Sequence, residues 1–173
     1  MVGMIDFDTA FARLIGHEGG FTRDAKDPGN WTGGKPGAGQ LKGTKFGVSA
    51  ASYPHLDIEH MTLEQARSIY REDFWGVLGE AHPAVKFQLF DAAVNHGRAN
   101  AIRFLQRAVG VADDGAWGAV SQAALTRMDH NDVLLRFVAH RLRFWSSLTT
   151  FDAYGRGWTR RGAENLLLAA QDN

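Results

Sequence analysis

A glycine-rich segment near the N-terminus is the feature that most restricts how this chain folds. Residues 29–43 hold six glycines, too many for a regular helix or strand and typical of a loop that folds over a ligand. Two aromatic residues, Trp31 and Phe46, bracket this loop. We therefore expect a concave, aromatic and glycine-rich site in this part of the chain.

A short helix precedes the loop and ends beside a glutamate. Apolar residues between Phe7 and Ile15 recur at helical spacing, and glycines follow at positions 16, 19 and 20. This pattern predicts that Glu18 lies at the C-terminal end of the helix. There the helix dipole and an apolar neighbourhood both disfavour ionisation of a carboxyl. A carboxyl that stays protonated near neutral pH can act as a general acid.

Two more polar residues follow Glu18 in the same region. Asp27 lies nine positions later, and Thr44 begins a short strand predicted over residues 44–49. A lone glutamate after a helix is usually a solvated cap, but the nearby Asp27 and Thr44 favour a catalytic role for Glu18. Flat aromatic side chains with a polar edge are common partners for the apolar face of a sugar ring. The residues alone leave both interpretations open.

The sequence after residue 60 predicts a series of helices. The capping-box pair Thr62 and Gln65 starts a helix over 62–75, and residues 84–94 are apolar on more than one face, as in a buried central helix. Asp91 interrupts that helix and needs a partner if it is buried. Asp114 belongs to a DG-x-x-G pattern that we interpret as a structural turn. The remaining predicted helices cover 101–109, 119–128, 131–148 and 159–171.

Composition excludes several classes of chemistry. With 173 residues, 45% of them hydrophobic, the chain is expected to form a single compact domain over residues 1–173. It has no cysteine, and its seven histidines show no recognised ligand spacing, so neither a metal site nor a cofactor is expected. The N-terminus lacks a basic segment followed by a continuous apolar stretch, so we expect synthesis in the cytoplasm without a signal peptide.

Several ordered motifs resemble one known family. The runs IGHEGGFTRDAKDPGNWTGG, LKGTKFGVSAASYPHLDI, LEQARSIYREDFW and LFDAAVNHGRANAIRFLQRAVGVADDGAWG look like glycoside hydrolase family 108, which contains phage endolysins and related bacterial N-acetylmuramidases. The resemblance implies a mainly α, lysozyme-like fold with a small β or irregular lobe. It also implies a lysozyme-like catalytic part over 1–96, a part resembling a peptidoglycan-binding region over 97–173, and Glu18 as the catalytic acid.

The order of Glu18, Asp27 and a threonine is similar to the catalytic constellation of the phage lysozymes. Thr44 is the threonine we place in this constellation, but the glycine-rich segment precedes it, so Thr32 competes for the position. Thr32 is otherwise expected to contact the substrate, as are the bracketing aromatic residues Trp31 and Phe46.

Three further residues are candidates for substrate binding. Tyr53 follows the predicted strand and either lines the site or is an ordinary half-buried tyrosine. Asn95 and His96 stand in the motif NHG, which the family places near the groove, and Asn95 is suited to bind an acetamido group of the substrate. Both residues equally fit plain helix capping before Gly97.

The charge distribution suggests the partners. Formal net charge is +0, but residues 97–173 carry ten arginines against seven acidic residues. A basic patch is predicted from six arginines, at positions Arg136, Arg141, Arg143, Arg156, Arg160 and Arg161. Anionic cell wall or lipid fits the resemblance better than nucleic acid, for which no recognised motif exists, and a solvated face is an equal alternative. The expected partner is bacterial peptidoglycan, and the expected state is a monomer.

The resemblance implies hydrolysis of the β-1,4 bond between N-acetylmuramic acid and N-acetylglucosamine. Glu18 donates a proton to the glycosidic oxygen, and Asp27 or Thr44 positions the attacking water. Sequence leaves open whether the configuration inverts or is retained. Two alternatives stand beside this prediction: a lytic transglycosylase, and a non-catalytic protein that binds cell wall. The resemblance also implies that a holin would release such an enzyme to the wall in the periplasm.

Overall fold

The fold is mainly helical. The computed structural model describes residues 5–16 and 20–172. The helices in these ranges are α1 (Phe7–Ile15), α2 (Leu63–Tyr70), α3 (Pro83–His96), α4 (Arg98–Val109), α5 (Ala119–Arg127), α6 (His130–Ser146) and α7 (Phe151–Gln171). Two short strands, β1 (Thr44–Lys45) and β2 (Val48–Ser49), pair with each other. The predicted class, mainly α with a small β or irregular lobe, is confirmed. No helix among the described residues is both long and apolar enough to cross a bilayer.

The chain divides into two compact units. Unit 1 comprises Met1–Ala10 and Phe74–Asn173, and unit 2 comprises Phe11–Asp73. Helix α1 therefore contributes Phe7 to the first unit and Phe11 to the second. A functional boundary at residue 96 remains a prediction, as does a single compact domain over 1–173.

Unit 2 contains a β-hairpin where a single strand was predicted. Thr44 pairs with Ser49 and Lys45 with Val48, so the segment 44–49 turns back on itself. The two turn residues, Phe46 and Gly47, have φ angles of 50° and 76°. Positive φ at both central positions is the requirement of a type I′ turn, whose twist matches that of paired strands. The single-strand prediction is wrong because such turns are usually signalled by Asn-Gly or Asp-Gly, and here a phenylalanine takes the first position.

Helix α2 begins as predicted and ends sooner. The Thr62 hydroxyl accepts from the Gln65 backbone N–H, and the Gln65 side chain accepts from the Thr62 N–H, which confirms the capping box. After Tyr70 the chain widens into a π-helical turn over Arg71–Trp75. Tyr70 is buried against Phe11, and its hydroxyl donates to the carbonyl oxygen of Phe46 at 3.1 Å. Helix α2 therefore anchors the turn of the hairpin.

Unit 1 is built around α3, which is buried along most of its length as predicted. Helix α3 packs against α4, α6 and α7, and α4 also packs against α5 and α6. The rings of Phe87, Phe90, Phe104 and Phe137 are almost completely excluded from solvent. Burial of such side chains is the main stabilising contribution in a helical unit of this kind.

The loop between α4 and α5 confirms the structural interpretation of Asp114. Its carboxylate accepts from the Ala116 backbone N–H at 2.8 Å and from Nε2 of Gln106 at 2.7 Å. Oε1 of the same Gln106 side chain accepts from the Gly115 backbone N–H at 2.9 Å. Gln106 is buried, and these bonds satisfy its amide while they fix the turn.

Helix α7 begins at Phe151, eight residues before the predicted start at 159. Gly155 and Gly157 weaken helical propensity in this stretch, so the sequence pattern hides the first two turns. Packing overrides propensity here. A Cβ at Gly155 would lie 2.8 Å from the Phe151 ring, and one at Gly162 would lie 2.9 Å from Leu142. Both glycines permit close approach of neighbouring side chains.

Candidate functional site

Glu18, the predicted general acid, lies outside the described residues. Helix α1 ends at Ile15, and Gly16 follows with a φ of 54°, a conformation that favours glycine. The Gly16 N–H still donates to the carbonyl oxygen of Ala12, at 3.0 Å. The end of α1 therefore agrees with the pattern from which the position of Glu18 was predicted, and the role of Glu18 remains a prediction.

A buried asparagine organises the part of unit 2 that holds the other catalytic candidates. Asn30 is 0% exposed. Its Nδ2 donates to the carbonyl oxygen of Asp24 at 3.0 Å, and its Oδ1 accepts from the Thr44 hydroxyl at 2.7 Å. The Asn30 carbonyl oxygen accepts from the backbone N–H groups of Lys42 and Gly43, both at 3.0 Å. One residue thus joins the loop at 24–30 to the end of the glycine-rich segment and to β1.

The bonds of Asn30 fix the hydrogen-bonding role of Thr44. Because Asn30 Nδ2 donates to Asp24, Oδ1 is the amide atom that faces Thr44 and can only accept. The single hydroxyl hydrogen of Thr44 is therefore committed to Asn30. Toward any further partner the Thr44 oxygen can only accept. A hydroxyl of this kind can hold a water molecule by one of the hydrogens of that water.

Asp27 contacts the same asparagine through the backbone. It caps the one-turn 3₁₀ helix Pro28–Asn30, with Oδ1 accepting from the Gly29 N–H at 2.8 Å, while its carbonyl oxygen accepts from the Asn30 N–H at 3.2 Å. The Asp27 side chain is exposed. Asp27 and Thr44 are therefore both direct hydrogen-bond neighbours of Asn30, and the Asp27 carboxylate faces solvent from a fixed turn.

Thr32, the competing threonine, has a different environment. Its hydroxyl oxygen accepts from the Gln40 backbone N–H at 2.9 Å, and its own N–H donates to the Gln40 carbonyl oxygen at 2.9 Å. These bonds pair the two sides of the glycine-rich segment. The Thr32 hydrogen is not committed by the Gln40 contact, so its hydroxyl can donate where that of Thr44 can only accept.

The two bracketing aromatic residues are both half-buried. Trp31 Nε1 donates to the carbonyl oxygen of Ala25 at 2.9 Å, which fixes the indole against the preceding loop. Phe46 occupies the hairpin turn, where Lys45 Nζ lies 5.6 Å from the centre of its ring. Each ring is held by backbone geometry and keeps part of its surface open.

Tyr53 lines a separate cavity within unit 2. Its hydroxyl donates to Asp73 Oδ2 at 2.6 Å. Burial, followed by the hydrogen bond and negative charge of Asp73, raises the pKa of the Tyr53 hydroxyl above its usual value. The cavity measures about 620 Å³ and is also lined by Asp57, Met61 and Ile69. Tyr53 is half-buried, as in the interpretation of an ordinary half-buried tyrosine. Its contact with substrate remains a prediction.

Asn95 and His96 line a pocket in unit 1, at the C-terminal end of α3. This pocket has a volume of about 280 Å³, and its other walls include Phe144, Trp145, Trp158 and Arg161. Asn95 Nδ2 donates to the carbonyl oxygen of Asp91 within α3 at 2.6 Å. Gly97 ends the helix with a φ of 80°. The Asn95 side chain therefore donates a hydrogen bond to its own helix, and Gly97 ends the helix.

His96 is a neutral group in this pocket. Arg141 Nη2 lies 3.4 Å from His96 Nε2, and since a guanidinium only donates, Nε2 is the unprotonated acceptor. Burial and the positive charge of Arg141 lower the pKa of His96 to about 4. The imidazole also lies against the rings of Phe144 and Trp145, with centroid distances of 5.4 and 5.3 Å.

The partner that Asp91 was predicted to need proves to be a set of three. Arg141 Nη2 lies 2.8 Å from Asp91 Oδ2, Arg161 Nη2 lies 2.5 Å from Oδ1, and Asn165 Nδ2 donates to Oδ2 at 2.9 Å. Burial alone would raise the pKa of Asp91, but Arg141 and Arg161 hold it below its usual value. This cluster joins α3, α6 and α7.

The cluster corrects the predicted basic patch. Arg141 is 1% exposed, so its assignment to a surface that contacts wall or lipid is wrong. Arg161 is partly exposed and is engaged by Asp91. Both were assigned to the surface because residues 136–161 hold six arginines against one acidic residue, and sequence does not show which arginine meets a buried acid. Arg136, Arg143, Arg156 and Arg160 are exposed.

Sequence reasoning missed two residues that the structure makes prominent. Asn30 follows the turn signal Asp-Pro-Gly, which marks a tight turn but not its burial. Trp158 lies in a stretch whose helical start was itself missed. Among residues 5–16 and 20–172, no group of three or more His, Cys, Asp or Glu side chains is placed to hold a metal ion.

The mainly helical fold with its small hairpin is lysozyme-like, and the family match makes the class of protein a glycoside hydrolase. Residues 11–97 match the family described as Glycosyl hydrolase 108, and the chain belongs to this family of peptidoglycan hydrolases. It is similar to the solved structure titled "Structure of Brucella abortus SagA", with a TM-score of 0.80 and 28% identity over 96% of this chain and 95% of that chain. No curated protein sequence matches the chain significantly.

Proposed function

We propose that this protein is an N-acetylmuramidase that hydrolyses the β-1,4 bond between N-acetylmuramic acid and N-acetylglucosamine. Family membership supports glycoside hydrolysis. The observation that carries the finer proposal is the bond from Thr44 to the buried Asn30, which makes the Thr44 oxygen a fixed acceptor beside the turn of Asp27. An acceptor and a carboxylate supported by the same residue are suited to hold and activate a water molecule.

The reaction begins at the leaving group. Glu18, protonated, gives its proton to the glycosidic oxygen as the bond to the anomeric carbon breaks, and positive charge develops at that carbon. Thr44 accepts a hydrogen bond from the attacking water, and the water oxygen adds to the carbon. Asp27 takes the second hydrogen of the water as a proton. Glu18 is left ionised and Asp27 protonated, and exchange with solvent restores both.

This route predicts a definite stereochemical outcome. A water that enters opposite the leaving group inverts the configuration, and inverting enzymes keep their two carboxyls roughly 6.5 to 9.5 Å apart. A separation of about 5 Å would instead allow Asp27 to attack the sugar directly, with retention. The assignment of Thr44 to the water favours inversion, because a retaining enzyme needs the water only in its second step.

Substrate contacts are proposed for the half-buried aromatic residues. Trp31 and Phe46 offer flat surfaces against which the apolar face of a sugar ring packs. Thr32, whose hydroxyl retains a donor function, is suited to a sugar oxygen. Tyr53 is a weaker candidate, because its hydroxyl hydrogen is already bonded to Asp73.

The biological role proposed with this activity is that of a phage endolysin. In this role the protein is made in the host cytoplasm, reaches the periplasmic wall after holin-type release and lyses the cell as a monomer. The motif resemblance supports this role. Expression in a bacterial host with and without a holin tests it: lysis that requires the holin supports the proposal, and lysis without the holin contradicts it.

The activity itself is tested on purified peptidoglycan that carries a covalently attached dye. Wild-type protein is expected to release dye, and Glu18→Gln is expected to lose about a hundredfold to ten-thousandfold in rate, because the amide N–H is too weak an acid to protonate the leaving group. Glu64→Gln is the matched control, since Glu64 is an exposed helix residue paired with Arg67. Full activity of Glu18→Gln would overturn the proposal.

A further inference from the structure

The pocket at the end of α3 has the shape and composition of a small polar-aromatic binding site. At about 280 Å³ it lies at the lower limit of ligand pockets, which suits one ring and a short substituent. Trp158 is half-buried, so part of its indole is open to a ligand. Phe144 and Trp145 continue the aromatic wall, and polar groups converge from α3 and α7.

The charge of the pocket is positive. Asp91 carries one negative charge and faces two guanidiniums, those of Arg141 and Arg161, so the cluster keeps an excess of one positive charge. Arg141 is enclosed, whereas Arg161 retains 36% of its side-chain surface and lines the pocket. The excess charge is therefore accessible at Arg161, where a carboxylate of a ligand can meet it.

The neutral polar groups complement an acetamido group. Asn95 uses Nδ2 for the bond to the Asp91 carbonyl oxygen, so its own Oδ1 remains the atom that can accept from an amide N–H. Asn95 is exposed at the rim of the pocket. A flat indole, an amide acceptor and an accessible guanidinium are together suited to a sugar that carries both an acetamido group and an acid.

We propose that this pocket binds a peptide-free N-acetylmuramic acid unit, with its pyranose ring on Trp158, its acetamido N–H on Asn95 Oδ1 and its free lactyl carboxylate on Arg161. The identification of the ligand rests on the proposed peptidoglycan substrate. The pocket thus distinguishes the muramyl unit from the neutral N-acetylglucosamine unit, which lacks the acidic arm.

The ring contact is tested by binding, with hydrolysis removed. Full-length protein carrying Glu18→Gln is titrated with N-acetylmuramic acid in a calorimeter. Adding Trp158→Ala is expected to raise Kd about tenfold, because the stacking surface is lost. Trp117→Ala is the matched control: Trp117 is also half-buried and in unit 1, and it does not line this pocket. Equal effects of the two substitutions would overturn the proposal.

The charge contact is tested by selectivity between two ligands. The Glu18→Gln protein is expected to bind N-acetylmuramic acid about tenfold more tightly than N-acetylglucosamine. Arg161→Gln should abolish this preference, while Arg160→Gln, the same change at the exposed neighbouring residue, should retain it. Because Arg161 also pairs with Asp91, circular dichroism checks its fold. Equal affinity for the two ligands would overturn the proposal.

A salt titration keeps the test valid if Arg161→Gln does not fold. Raising the salt concentration should weaken N-acetylmuramic acid binding and leave N-acetylglucosamine binding unchanged, since only the former involves charge. Failure of the pocket is distinguishable from failure of the proposed function. Wild-type hydrolysis with no dependence of binding on Trp158 removes the pocket alone, and Trp158-dependent binding without hydrolysis removes the muramidase alone.

Discussion

Unit 2 and unit 1 are stabilised by different kinds of interaction. In unit 2, between residues 20 and 60, structure depends on polar bonds that converge on Asn30 and on a hairpin of two-residue strands. In unit 1, helices α3 to α7 pack through large apolar side chains, and a buried ionic cluster around Asp91 lies among them. Unit 2 is therefore held largely by polar contacts, whereas in unit 1 the polar groups lie within an apolar scaffold.

The two units should respond differently to the loss of a polar contact. In unit 1 a single uncompensated charge is costly, because the apolar surroundings offer no substitute partner. In unit 2 we expect the loss of one bond to cost less stability but to change the position of a hydroxyl or a carboxylate, on which the proposed activity depends.

The largest loss of stability is expected from removal of the buried acid of unit 1. Asp91→Ala leaves Arg141 buried without its carboxylate, and we expect the free energy of unfolding to fall by about 3 to 5 kcal/mol. Asp113→Ala is the control, because Asp113 pairs with Arg107 at the surface, where such a pair contributes less than about 1 kcal/mol. Urea denaturation measures both. Similar losses would contradict the ionic cluster as the main polar support of unit 1.

The second test concerns activity in unit 2. Thr44→Val removes the acceptor that holds the water while keeping the volume of the side chain, and we expect kcat to fall about a hundredfold, equivalent to about 2.7 kcal/mol. Thr32→Val is the matched control, expected to change KM more than kcat. Steady-state kinetics on soluble peptidoglycan fragments separates the two. The reverse pattern would assign the water to Thr32.

The third test compares glycines with positive φ in the two units. A Cβ at Gly43 (φ 89°) would lie only 2.4 Å from the Thr22 carbonyl oxygen, whereas one at Gly110 (φ 75°) meets nothing within 4 Å. We expect Gly43→Ala to cost roughly 2 to 4 kcal/mol and Gly110→Ala about 1 kcal/mol, the strain alone. Thermal unfolding checks the difference. Equal costs would show that the loop moves freely to accept the methyl group.

The smallest expected effect is a pH dependence from His96. Its pKa is about 4 in the folded protein and about 6.5 when unfolded, so the unfolded chain binds more protons between these values. The stabilising contribution is complete above pH 6.5 and is lost as pH falls toward 4. Allowing for solvent screening, we expect a loss of about 1 to 2 kcal/mol that His96→Gln abolishes.

The sequence predicts most of the helices of unit 1 and little of the geometry of unit 2. Periodicity identifies α3 and α6, and the capping pair Thr62 and Gln65 fixes the start of α2, because these signals are local. The first part of α7 escapes prediction because Gly155 and Gly157 lower helical propensity where packing restores it.

The candidate site is only partly readable from sequence. Glycine content predicts the loop, and the family motif gives the residue types, but the burial of Asn30 and the direction of its amide depend on contacts fourteen residues apart. The choice between Thr32 and Thr44 cannot be made from spacing, because it depends on which partner takes each hydroxyl hydrogen. Similarly, Arg141 appears as a surface residue until its contact with Asp91 is known.

The central claim is that water, activated after proton donation by Glu18, cleaves the bond on the muramic acid side. Its most direct test is mass spectrometry of the products from purified peptidoglycan digested in ¹⁸O-labelled water. The account predicts reducing N-acetylmuramic acid ends that contain one ¹⁸O atom for wild type, and no such ends for Glu18→Gln. Anhydro ends without label would instead identify a lytic transglycosylase, labelled N-acetylglucosamine ends would place the cleavage at the other bond, and the absence of products would leave a wall-binding protein.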